Sequence, residues 1–193
     1  MRFFRKKHLE PPTVSAADLT QVGRDELRNS FYRSLDVALL EHTFGLHHSN
    51  GPKSPHIGQL IGEGFHFQVW RYPAAPLALA VGIPKRNFLE EEQGFRQQLW
   101  LRAMKQLKHS EGHLVPPFEI LKSIDDQSWI LITPYGERDA NCALPEWQPL
   151  DHHIQQTQAA LKQQGLKIDD YIQIRCCQGT PFICDFSDLR SVR

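Results

Sequence analysis

Between residues 15 and 44, apolar side chains recur at Leu19, Leu27, Phe31, Leu35 and Leu39, a spacing that predicts one helix with a core-facing stripe. Ser15 is a suitable N-cap for it. The pattern then shortens. Residues 57–70 and 77–83 carry apolar runs bounded by Gly and Pro and read as strands of a meander, with Pro73 and Pro76 in the connection. Helical period returns at Phe88, Phe95, Leu99, Ala103 and Leu107, predicting a single long helix over 88–107. Glu90, Glu91 and Glu92 occupy the first turn, where the helix dipole favours acids, and Gly94 is the weak link. Residues 115–121 and 129–133 read as a hairpin around Asp125-Asp126, followed by a break at Pro134-Tyr135-Gly136. Leu150, Ile154 and Leu161 predict a helix ending at Gly165, which is placed as a left-handed cap. Two strands, 171–177 and 181–186, then flank a Gln178-Gly179 turn.

This mixture predicts an α+β fold. With 193 residues, one compact domain over 56–193 is expected, preceded over 1–55 by a basic arm, a helix and a turn-rich linker. The arm holds Arg2, Arg5, Lys6 and Lys7 and ends in Pro11-Pro12, which suits a mobile segment; peripheral membrane contact is the alternative use of such a basic stretch. Charge narrows the partners. Lys plus Arg and Asp plus Glu both number 22, so no bulk field draws the chain to nucleic acid. No apolar run reaches transmembrane length. The four cysteines, Cys142, Cys176, Cys177 and Cys184, lack the spacing of a disulfide framework, so reduced thiols and a cytoplasmic location are expected.

Candidate chemistry begins at Gly62-Glu63-Gly64-Phe65-His66-Phe67-Gln68-Val69. Glycines between two strands let backbone amides approach a phosphate, although a hairpin can also use them only to turn. The setting fits neither the dinucleotide fingerprint, which opens a helix, nor the Walker loop, which needs Lys and Ser or Thr. His42, His47 and His48 invite a metal, but they straddle Gly45 and supply no complete ligand set. Cys176-Cys177 is adjacent rather than C-x-x-C, and strand geometry points the two thiols to opposite faces.

The order of glycine hairpin, apolar strand, acid-starting helix, hairpin, hinge-like break, helix and a strand pair ending in Asp-Phe resembles the protein-kinase fold. Gly62, Gly64 and Val69 match the family's G-x-G-x-x-G-x-V, with Phe67 at the third glycine, where a ring would oppose close phosphate approach. The resemblance implies a kinase-like N-terminal lobe with an antiparallel sheet and one long helix, followed by a truncated catalytic-loop region. It also implies ATP and magnesium as cofactors. The lysine position of the third strand falls on Ala80, while Lys85 lies beyond Pro84 as a relocated cation. Glu91 or Glu92 would be its helix partner, and Tyr135 would lie in the hinge against which adenine stacks. Asp169 or Asp170 stands for the catalytic base, and Gln173 for the metal-binding Asn. Asp185 in Cys184-Asp185-Phe186-Ser187 stands for the magnesium ligand of D-F-G, with Ser187 replacing the glycine. The reduced size is similar to that of small bacterial kinase-like proteins of the YrbL type.

Little sequence follows Asp185, so neither an activation segment nor the helical half that holds peptide substrates is expected. These substitutions lead to a pseudokinase-like module, catalytically degenerate, with a weak ATP and magnesium site and a protein partner. Two alternatives stand beside it. One is an active minimal phosphotransferase using Lys85, and the other is an α+β interaction domain that binds no nucleotide.

Overall fold

The computed structural model describes residues 16–44, 58–73, 76–90, 95–108, 115–122, 129–137, 155, 158–159, 161–168, 173–185 and 189–192. The N-terminal region is two helices, α1 (Ala16–Ser34) and α2 (Val37–Phe44), rather than the single one expected. Asp36 makes the break. Its carboxylate accepts a hydrogen bond from the Leu39 amide at 3.0 Å and its carbonyl accepts one from Leu40 at 3.0 Å, so it caps α2. The apolar spacing runs through Asp36 without interruption, which is why periodicity alone reads one helix.

Five strands form an antiparallel sheet in the order β1 (Gln59–Glu63), β2 (Phe67–Tyr72), β3 (Leu79–Pro84), β5 (Trp129–Pro134), β4 (Glu119–Lys122). Period-two alternation gives it two apolar faces. On one, Tyr72, Leu79, Val81, Ile130 and Ile132 pack against Leu27 and Phe31 of α1 and Leu40 and Phe44 of α2. The buried Ser34 hydroxyl accepts a 2.8 Å bond from the Leu77 amide, fixing the end of α1 to the approach to β3.

The opposite face carries Phe67, Ile120, Trp129 and Leu131, which pack with Phe88 of α3 (Arg86–Glu90) and Trp100, Ala103 and Met104 of α4 (Phe95–Lys108). The helix expected over 88–107 is therefore described as α3 and α4. Glu91, Glu92 and Gly94 lie outside the described residues.

Beyond the sheet, residues 155, 158, 159 and 161–163 are helical, and Gly165 at φ 71° has the left-handed backbone expected of a cap. β7 (Ile174–Cys177) and β8 (Thr180–Ile183) pair across Gln178 and Gly179, whose φ values of 48° and 78° are those of a two-residue hairpin turn. A second pair, β6 (Leu166–Ile168) with β9 (Leu189–Ser191), was not expected. At three residues each, these strands are too short to carry a readable period.

Two main-chain bonds between Glu137 and Cys176, at 2.9 and 3.2 Å, join the end of β5 to β7. Gly136 is required by this close approach: a Cβ there would lie 2.6 Å from Arg175 Cβ and from the Phe182 ring. Cys176 is disulfide-bonded, a correction to the expectation of reduced thiols, because pairing depends on Cβ approach rather than on even spacing. Among the described residues no helix is long and apolar enough to cross a membrane.

Candidate functional site

The glycine hairpin is shaped by a bulge and by one lysine. Leu60 pairs with Trp70 but Gly62 pairs with Val69, so Ile61 is the extra residue of β1. The Gly64 amide donates to Phe67 O at 2.8 Å and closes the loop. Lys85 then ties it down. Its amide donates to His66 O at 2.7 Å, its Nζ donates to Gly64 O at 3.0 Å, and the same Nζ lies 2.7 Å from a Glu63 carboxylate oxygen. The Lys85 hydrogen bond, followed by that of Gln68, holds the Glu63 carboxyl below the usual carboxylate range.

Neither Gly62 nor Gly64 has a left-handed backbone. A Cβ on Gly62 would meet nothing within 4 Å, and one on Gly64 only Phe67 O at 3.9 Å. The folded chain thus does not itself demand glycine at these positions, and there is room beside their Cα atoms. Phe67 was expected to oppose phosphate approach; its ring instead packs 5.4 Å from Phe88, 5.5 Å from Trp100 and 5.6 Å from Trp129. It is partly buried and packs against the core on the α4 side. The exposed aromatic of the loop is Phe65, at 70 %.

Alternation places Val69 and Arg71 of β2, Ala80 and Gly82 of β3, and Leu131 and Thr133 of β5 on that same face. Gly82 sits between Val69 and Leu131, and Ala80 between Arg71 and Thr133. Ala80 brings no charge to the position matched to the family lysine. Arg71 does bring one: its guanidinium carbon lies 4.6 Å from the centroid of the Tyr135 ring, and the Tyr135 amide donates to Ala78 O at 2.9 Å. Sequence reasoning passed over Arg71, although strand alternation from Phe67 and Val69 marks its face.

Gln173 and Asp185 occupy one end of the β7–β8 hairpin. The Cys184 amide donates to Gln173 O at 2.9 Å, so the residue before β7 and the two after β8 adjoin. The bond is between main chains: Gln173 stands opposite Cys184, and alternation directs the Asp185 side chain to the other face of the hairpin, so the pairing does not bring the two metal candidates' side chains together. Asp169, Asp170 and Glu92 lie outside the described residues. Among the described residues no group of three or more His, Cys, Asp or Glu side chains gathers as a metal site.

No family model matches the chain, and comparison with curated proteins finds no significant relative. Its function must be read from this geometry. Thiol chemistry gains no support from it. Burial, followed by the Glu137 charge, pushes the Cys177 thiol up to about 11, and burial raises Cys184 against the opposing influence of Arg175. Neither is set as a ready thiolate at neutral pH.

Proposed function

We propose that the chain is a divergent kinase-like module that binds ATP and magnesium weakly, has lost phosphoryl transfer, and acts through a protein partner. The commitment of Lys85 to Glu63 and Gly64 O, with Ala80 at the matched strand position, carries this reading. In the family that lysine holds the nucleotide phosphates and pairs with a helix glutamate. Further support comes from the succession of glycine hairpin, third strand, helix, hairpin, Gly136 junction and β7–β8 hairpin ending at Asp185, which follows the family order.

The room beside Gly62 and Gly64, where a Cβ would meet almost nothing, suits the close approach of a phosphate, and Asp185 would supply the carboxylate that holds magnesium. Bound there, magnesium would neutralise phosphate charge. A partner surface is supported by β1, an edge strand that exposes Leu60 and Ile61 beside Phe65. One observation favours an active phosphotransferase instead: Lys85 Nζ lies at the glycine loop itself, where a relocated cation would be useful.

Thermal unfolding with and without ATP and magnesium tests the proposal, since a ligand selective for the folded state stabilises it by RT ln(1 + [L]/Kd). The expected result is a small magnesium-dependent rise at millimolar ATP that Asp185→Ala removes, with no γ-phosphate transfer. Transfer lost in both Asp185→Ala and Lys85→Met would establish the active alternative. No rise in the folded protein would leave an α+β interaction domain.

A further inference from the structure

Arg71 and Tyr135 belong to strands separated by β3, yet the guanidinium stands 4.6 Å from the ring centroid. Neighbouring strands are about 4.8 Å apart, so the two side chains together must span the width of β3 to meet. The small residues of β3 lie between them: Ala80 is directly opposed to Arg71, and the Ala78 carbonyl holds the Tyr135 amide. A long side chain at position 80 would obstruct their meeting. Loss of the cation at Ala80 and the contact of Arg71 with Tyr135 are therefore one arrangement.

Arg71 also lies toward the end of β2 remote from the glycine loop, about 13 Å along the strand from Phe67 at roughly 3.3 Å per residue. Gly62, paired with Val69, is only two residues along the sheet from Arg71, but the guanidinium is directed away from β1, across β3 to Tyr135. What it does cover is the face of Tyr135 and the small residue beside it, the surface onto which a flat ring would stack.

We infer that Arg71 is a displaceable cover over this hinge-end surface, and that a nucleobase binds there by taking the place of the guanidinium against Tyr135. The inference rests on the nucleotide-binding reading above and assigns Arg71 as a residue that limits affinity for the base. An exposed cation–π contact is weak, so displacing it lowers affinity by about two- to five-fold rather than closing the surface outright.

Adenosine and Mg-ATP are titrated calorimetrically into the full-length protein, Arg71→Ala and Tyr135→Ala, each first shown to unfold cooperatively. Arg71→Ala is expected to bind adenosine about two- to five-fold more tightly than the unsubstituted protein, and Tyr135→Ala more weakly. Adenosine carries no phosphate, so a purely electrostatic role of Arg71 would not produce this gain. A second readout is the Arg71 Nε–H resonance, displaced by the ring current of Tyr135, which is expected to return toward its ordinary position as adenosine is added. Equal or weaker adenosine binding by Arg71→Ala, with Mg-ATP binding still lost in Asp185→Ala, overturns the cover and leaves the nucleotide site standing. Absence of adenosine and ATP binding in every folded variant overturns both.

Discussion

The Lys85–Glu63 contact bonds two exposed or half-exposed side chains, so its effect is local. The Glu63 carboxyl sits below its ordinary value in the folded chain, so the contribution of the ion pair is present above the usual carboxylate range. It is lost as pH falls through the lowered folded value. Protection of the amides at residues 64–66, measured as exchange relative to the intrinsic rate at each pH, is therefore expected to fall at acid pH and to be low at every pH in Lys85→Met, with little change in global stability. Cys177 has the opposite sign of shift. Its thiol is held protonated up to about 11 against an ordinary value of 9, so stability is complete below pH 9 and falls as pH rises through 11. A loss of up to about 3 kcal/mol is expected from this group. Urea titrations at pH 8 and pH 10.5 would show a smaller alkaline loss in Cys177→Val. Tyr72, raised by burial and by Asp36, leaves a residual loss of the same sign.

The end of α1 and the start of α2 are fixed by adjacent residues with different tasks. Ser34 receives the Leu77 amide, whereas Asp36 caps the following turn. Asp36→Ala is expected to lower stability by about 1 kcal/mol, measured by urea unfolding, because the cap bond is exposed and replaceable by water. What sequence reading finds and misses is explained by such details. The Gln178-Gly179 turn was legible because its dihedrals demand residues tolerant of positive φ. The glycine hairpin and the β4–β5 pair were legible through alternation and bounding turn residues. The α1–α2 break was not, since one capping side chain interrupts a helix without disturbing its apolar period. Asp185 and Gln173 were both named from sequence; β7–β8 pairing sets Gln173 against Cys184, with Asp185 one residue further on. Arg71 was missed because its significance depends on a ring two strands away, a relation no local pattern encodes.

The chain joins two apolar clusters through a single sheet, one formed with α1 and α2 and the other with α3, α4, Leu166 and Leu189. Damage to either face should be felt by the whole sheet. Phe31→Ala, which empties a fully buried position in α1, is expected to cost about 3–5 kcal/mol. Tryptophan fluorescence, which senses the stacked Trp100 and Trp129 on the other face, and far-ultraviolet circular dichroism should report one coincident transition. Separate transitions would mean that the two clusters unfold independently.

The position of β3 between β2 and β5 also governs how the chain reaches this structure. β1–β2, β4–β5 and β7–β8 join neighbouring segments, but β3 meets β5 only after the intervening helices and β4 have been traversed. Closing that long loop carries an entropic cost that the adjacent pairings avoid. Hairpins should accordingly form in an early kinetic phase, and the union of β3 with β5 should set the overall rate. Until that union occurs, Val81 and Ile132 expose to other chains the apolar surface that they later bury in each other's company.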